Sequence, residues 1–254
     1  MDCVFKLPNG KEVVTKEFLF KDSKLFFNNS SNFRLDIFES LLVTKGLNVV
    51  EKFITLALLR EKCIKQSVNL NLNNKDKEVS ISYILKNLNE IIDIREEKQM
   101  DNITLTLDYP SKFVIDTDSI FSVIHNIQID NESINLNDVT NEEFVLITNS
   151  LPANVLSTIA QFIEDKKHAL IYSLFTGKDK MELDFLNASP FILLENLYDC
   201  IDPFTYREYL FVLSKRINDV TFLLNSTFLD IIDYMDLYKR ENEESSTEVA
   251  KLDN

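Results

Sequence analysis

The chain has 254 residues, a formal net charge of −14, and a 45% hydrophobic content that includes 19 Phe. Phosphate backbones are held by clustered Lys and Arg, so this balance excludes nucleic acid as an expected partner. With only 3 Gly and 5 Pro, the composition is that of a folded core and not of a disordered segment.

Residues 4–7 and 12–15 flank Pro8-Asn9-Gly10. Asn-Gly supplies the positive φ angles of tight turns, which predicts a β-hairpin. Phe18, Phe20, Leu25, Phe26 and Phe27, with lysines among them, read as a short amphipathic helix or turn folded back on that hairpin. Phe33, Ile37, Phe38, Leu41 and Leu42 recur at helical spacing, and Gly46 is placed to end that helix in the left-handed region. Asn48 with Glu51 makes a capping box for a second helix striped by Val50, Phe53, Ile54, Ala57 and Leu58. Its apolar coverage predicts burial on more than one side.

Residues 67–73 and 78–84 alternate apolar and polar, with a polar loop at 73–77 between them. Residues 102–109 alternate strictly, and Pro110 ends that run because it has no N–H to donate. These three stretches predict one small antiparallel sheet across 65–112. Residues 85–94 are left as short helix or strand, and 95–99 as an exposed charged loop.

Two further alternating pieces, 127–129 and 134–136, are separated by the polar turn 130–133. Beyond them the helical signals strengthen. Thr140 and Glu143 form a capping box, and Pro152 opens a helix striped by Val155, Leu156, Ile159, Ala160 and Ile163. Gly177 starts a turn, and 181–185 reads as a strand. Ser189-Pro190 and Asp202-Pro203 each place a capping residue before a proline at the first helical position. They predict helices to about Cys200 and about Ile217. A last helix, broken near Asn225-Ser226, runs to about Tyr238, and residues from Glu241 onward read as a flexible acidic tail.

No catalytic, cofactor or metal motif emerges. Neither His125 nor His168 sits in a zinc or general-base pattern. Three glycines leave no phosphate-cradling loop. Asp116-Thr117-Asp118 lacks the glycine and closing glutamate of a calcium loop, and Asn225-Ser226-Thr227 is an incidental glycosylation match. Cys3, Cys63 and Cys200 are too far apart to suggest a disulfide framework. Without an apolar run of roughly 18 residues or a signal-peptide pattern, a cytoplasmic protein without a membrane span is expected. Within the helix after Pro203, Phe204 and Phe211 are assigned to the core side with Leu210 and Ser214. Tyr206 and Tyr209 fall on a second side, as intramolecular packing or as a protein–protein contact.

Three ordered segments carry a family resemblance. They are Leu7-Pro8-Asn9-Gly10-Lys11-Glu12-Val13 leading to Phe18 and Lys24; Leu105-Thr106-Leu107-Asp108-Tyr109-Pro110-Ser111; and Leu136-Asn137-Asp138-Val139-Thr140-Asn141-Glu142-Glu143 continuing to Ser150-Leu151-Pro152. In order and spacing they resemble the baseplate hub assembly protein family of T4-like contractile-tailed bacteriophages, over roughly residues 4–190. Some members carry Cys pairs in the small central sheet. Here residues 64–74 have only Cys63 at their edge, so packing alone must hold that hairpin. The resemblance implies a non-enzymatic viral protein that helps to build, or belongs to, the baseplate hub of a contractile tail. It implies other hub and tail proteins as partners, the host cytoplasm as the site of assembly, and the virion tail baseplate as a destination.

The expected architecture is α+β. A main body of 1–64 with 113–240 joins an N-terminal hairpin and helices to a mainly helical C-terminal part. Residues 65–112 form a small antiparallel β-rich subdomain, and 241–254 a tail. Three other readings stay open: an acidic phage effector occupying a host protein's nucleic-acid site, a tail assembly chaperone absent from the mature virion, and an enzyme with an unrecognised site.

Overall fold

The computed structural model describes residues 2–27, 30–72, 75–115, 120–130, 132–136, 138–175 and 181–252. The fold is α+β. Strands β1 (Asp2–Lys6) and β2 (Glu12–Lys16) form the expected hairpin, with Lys6 opposite Glu12 and Gly10 at φ +84° in its turn. The short helix α1 (Phe20–Ser23) leads to α2 (Ser31–Leu41). Helix α2 ends well before Gly46, because the chain after it is drawn onto β2. The Val43 and Thr44 N–H groups both donate to the Val14 carbonyl, and Leu42 bridges to Thr15.

Helix α3 (Val49–Cys63) is the axis of the core, buried on several sides from Val49 to Cys63. Behind it lies an aromatic cluster centred on Tyr198. Its ring lies 5.0 Å from Phe38, 5.1 Å from Phe18 and 5.9 Å from Phe26, and its hydroxyl donates to the Leu56 carbonyl at 2.7 Å. Many of the aromatic residues thus lie in one continuous core, where each large ring buries much apolar area.

The expected single sheet across 65–112 is two sheets. Strands β3 (Ser67–Leu72) and β4 (Lys75–Ser80) make a hairpin of their own. Ile81 then enters helix α4 (Ile81–Leu85) instead of prolonging the strand, with the Ser80 side chain accepting from the Tyr83 N–H. The second sheet is an antiparallel meander of β5 (Glu96–Met100), β6 (Ile103–Leu107), β7 (Ile124–Ile129) and β8 (Glu132–Asn135). The charged stretch read as an exposed loop is therefore the edge strand β5. It is held by pairing with β6 and by its neighbour α6 (Ala153–Asp165), where Lys166 meets Glu96 at 2.5 Å and the Thr158 hydroxyl meets the Met100 sulfur at 3.1 Å. Asp101 and Asp130 turn the β5–β6 and β7–β8 connections at φ near +50°, a conformation that Asp tolerates better than most residues.

Helix α5 (Asn141–Asn149) starts on the Thr140–Glu143 capping box, and Pro152 caps α6. Helix α7 (Lys167–Leu170) feeds the hairpin of β9 (Ile171–Phe175) and β10 (Met181–Asp184). The turn expected at Gly177 lies outside the described residues. Four helices follow: α8 (Ser189–Tyr198), α9 (Pro203–Ser214), α10 (Val220–Asn225) and α11 (Phe228–Leu252). The cap of α8 is Ala188 and not Ser189, whose hydroxyl instead accepts the Asp184 N–H. The break at Asn225-Ser226 separates α10 from α11. Residues 241–252, read as a flexible tail, continue α11. No Gly or Pro interrupts the helix, and the Glu, Ala, Lys and Leu residues of this stretch are good helix formers.

Candidate interaction surface

Helix α9 carries the two tyrosines singled out by sequence, and its orientation inverts the expected faces. The Asp202 side chain starts it, accepting the Phe204 N–H at 2.8 Å and the Thr205 N–H at 3.0 Å, with Pro203 in the first turn. The Thr205 hydroxyl also donates to Asp202, and these bonds hold its carboxyl below the usual carboxylate range. Tyr206 points inward. It is 7% exposed and stacks on Phe20 at 4.5 Å, with Phe27 edge-on at 5.6 Å. Tyr209 is half-buried beside Phe228 and Ile232 of α11. Phe204 and Phe211, assigned to the core, face solvent at 77% and 63% exposure. The reason is the 3.6-residue period. Tyr206, Tyr209, Leu210 and Leu213 recur at i, i+3, i+4 and i+7, which is one continuous stripe, and Phe204 and Phe211 lie opposite it. That stripe was readable from the spacing, but bulk hydrophobicity pointed the other way.

The exposed side of α9 continues in charge. Lys215 Nζ sits 4.0 Å over the Phe211 ring. Arg207 is exposed on the same side, and neither cation has a carboxylate partner among the described residues. Arg216, by contrast, pairs with Glu241 and lies over the Tyr238 ring. Val220 and Phe222 of α10 and Leu237 of α11 are exposed as well.

A second constellation joins the three segments that carry the resemblance. The buried Glu51 carboxylate accepts from Asn9 Nδ2 at 3.0 Å, from Lys11 Nζ at 2.9 Å and from the Asn48 N–H at 3.1 Å. The turn of the first hairpin is thereby fastened to the start of α3. One residue further along, the Val49 N–H donates to the Pro110 carbonyl at 2.8 Å, and Lys52 Nζ donates to the Ser111 carbonyl at 2.8 Å and pairs with Glu39 at 2.6 Å. His125 then links the second and third segments. Its Nε2 donates to the Tyr109 carbonyl at 2.6 Å, and its own carbonyl accepts the Leu136 N–H at 2.9 Å. The junction is therefore a structural fastening around one helix N-terminus, and His125 has a structural use within it. The capping box was legible in the sequence, but its long-range partners Asn9 and Lys11 were not.

The remaining candidates do not converge on chemistry. His168 is exposed at the start of α7. Cys3 and Cys63 are buried together below Tyr198, and burial pushes the Cys63 thiol up to about 12 and the Cys200 thiol up to about 11. Among the described residues no group of His, Cys, Asp or Glu could hold a metal ion. Asp116-Thr117-Asp118 lies outside the described residues. An open groove of about 870 Å³ beside α2, lined by Leu35, Leu42, Leu47 and Phe113, has at its margin the neutralised Glu39–Lys52 pair. Among the described residues no helix is long and apolar enough to cross a membrane.

The family model described as T4 bacteriophage base plate protein matches residues 1–188. That span holds all three segments and the whole junction around Glu51, and it ends one residue before α8. No curated protein and no solved structure matches the chain.

Proposed function

The chain belongs to the T4 bacteriophage base plate protein family, and we propose from that premise that it works in assembly of the baseplate hub of a contractile tail, through protein–protein contacts and without catalysis. Membership of that family carries a structural or assembly role at a phage baseplate. The finer reading, hub assembly, is supported by the ordered segments 7–13, 105–111 and 136–143, which all belong to one fastened unit around the α3 N-terminus. Such a unit fits a scaffold that must keep its shape while neighbours dock on it. The polar groups of the junction are turned toward each other and not toward a substrate space.

The single observation behind the contact mechanism is the exposed pair Phe204 and Phe211 on a capped helix otherwise anchored in the core. Large aromatic side chains held in water on a rigid element mark protein contact sites. A tagged copy expressed during infection is expected to co-purify with hub and other tail proteins of the same phage. Recovery of host nucleic-acid-binding proteins in place of tail proteins would favour the acidic-effector reading and overturn this one. Proteomic analysis of purified virions decides whether the chain stays in the particle or leaves it as an assembly chaperone.

A further inference from the structure

We infer that the outer face of α9, formed by Phe204, Arg207, Phe211 and Lys215, is the seat for an acidic amphipathic helix of a partner tail protein. The inference rests on the protein-contact reading above and names the chemistry of the partner. The four residues recur at i, i+3, i+7 and i+11, so they form one stripe opposite the buried Tyr206 and Leu213. The two phenylalanines stand two helical turns apart, roughly 10 Å along the axis at 1.5 Å per residue. That separation matches the i, i+7 repeat of apolar anchors on a facing helix, as in side-by-side helix pairing. The face is preorganised, because Asp202 caps the helix and Tyr206 on Phe20 fixes its rotation, so little ordering accompanies docking.

Charge selects the partner. In a chain of net charge −14, the two cations on this stripe lack carboxylate partners among the described residues, and one of them already lies over an exposed ring. A partner bringing carboxylates beside its apolar anchors meets Arg207 and Lys215 and keeps the Lys215–Phe211 contact dry, where cation–π attraction strengthens. Glu208, four residues after Phe204 and three before Phe211, is exposed on the same face and flanks the phenylalanines on the side away from Arg207. The stripe therefore sets two cations against one carboxylate and directs a partner's acids to Arg207 and Lys215. A second copy of this chain is a poor occupant of the same face. A two-fold contact is self-complementary, so like patches would oppose Arg207 and Lys215 to their own copies.

The test uses the full chain and two fluorescein-labelled synthetic helical peptides with leucines at i and i+7, one with glutamates flanking the leucines and one with lysines. Fluorescence anisotropy is expected to show at least tenfold tighter binding of the glutamate peptide. Phe204→Ala with Phe211→Ala should weaken that binding at least tenfold while leaving the thermal unfolding midpoint in place, and Arg207→Glu with Lys215→Glu should reverse the preference between the peptides. Equal binding of both peptides, or binding untouched by the phenylalanine substitutions, overturns the inference. So does self-association in sedimentation velocity that those substitutions abolish, which would assign the face to a second copy. Complementation of a phage deleted for this gene separates this inference from the reading beneath it. If deletion abolishes baseplates and the double phenylalanine variant restores them fully, the α9 seat fails and the baseplate role stands. If deletion leaves normal tails, the baseplate role itself fails.

Discussion

Tyr206 lies face to face on Phe20, with ring centroids 4.5 Å apart and planes 18° from parallel. This contact sets the rotation of α9 and with it the residues the helix offers to solvent. Phe20 in turn stacks on Phe228 at 5.8 Å, so one ring of α1 holds both α9 and the start of α11. Tyr206→Ala removes a buried ring and should cost about 3 kcal/mol of unfolding free energy. Phe204→Ala and Phe211→Ala should each change it by less than about 0.5 kcal/mol, as exposed substitutions do. Urea denaturation of the three variants checks this, and equal losses at all three positions would refute the assigned rotation.

The Glu51 carboxylate serves the Asn48 cap, Asn9 and Lys11 at once. Glu51→Ala would leave the turn of the first hairpin without its fastening and the α3 N-terminus without its box. A loss of about 2–3 kcal/mol is expected, combining a cap worth about 1 kcal/mol with the cost of stranding half-buried partners. Glu143→Ala, which breaks the analogous but exposed box at α5, should cost about 1 kcal/mol or less. Chemical denaturation that ranks the two the other way round would contradict the fastening role.

Arg60 is a buried cation whose partners are backbone carbonyls. It donates to Leu197 at 2.9 Å, to Ser67 at 2.7 Å and to Lys65. It thus ties α3 to the C-terminal end of α8 and to the entry of β3. Arg60→Met should destabilise by about 3 kcal/mol because those carbonyls lose their donors in a place water does not easily reach. Arg60→Lys should recover little, since a single ammonium group cannot reproduce the guanidinium fork. Thermal and urea unfolding of both variants tests it, and full rescue by lysine would show that charge alone matters.

Burial raises the Cys63 thiol from its ordinary value near 9 to about 12, and the Cys200 thiol to about 11. Folding therefore favours the neutral thiols. Their contribution is complete below pH 9 and is lost as pH rises from about 9 toward 11–12, because the unfolded chain releases these protons first. The urea midpoint should fall across that range, and Cys63→Ala should fall less steeply than the parent. A midpoint that rises between pH 9 and 11 would contradict the buried-thiol account. In the native protein at pH 8 these thiols should react slowly with a disulfide reagent, and all three cysteines should react at once in guanidinium.

Local chemistry was the most legible layer of this molecule. The Asn-Gly turn, the Asn48–Glu51 and Thr140–Glu143 boxes and the Asp202-Pro203 start each occupy a few adjacent residues, and each reappears in the structure. Pairing was less legible because it is decided at long range. The alternation of 102–109 marked Leu105 and Leu107 as buried, but Thr106 on the opposite face is buried too, and the strand's neighbours are β5 and β7, not the hairpin of β3 and β4. Strand β5 has no apolar stripe of its own. Its stability comes from β6 and from the Lys166–Glu96 contact, neither of which leaves a trace in residues 96–100. On the candidate surface the difficulty was one of weighting. The period placed Tyr206 and Leu213 on one side of α9, while the hydrophobicity of Phe204 and Phe211 argued for the core. The structure follows the period and leaves Phe204 and Phe211 exposed to solvent.

The central claim, a baseplate assembly role, is tested most directly by counting tail structures in lysates of a phage deleted for this gene, by negative-stain electron microscopy, with and without the wild-type chain supplied in trans. The account predicts that complete baseplates are lost on deletion and return with the wild-type chain. Normal numbers of contractile tails with intact baseplates in the deletion lysate would contradict it.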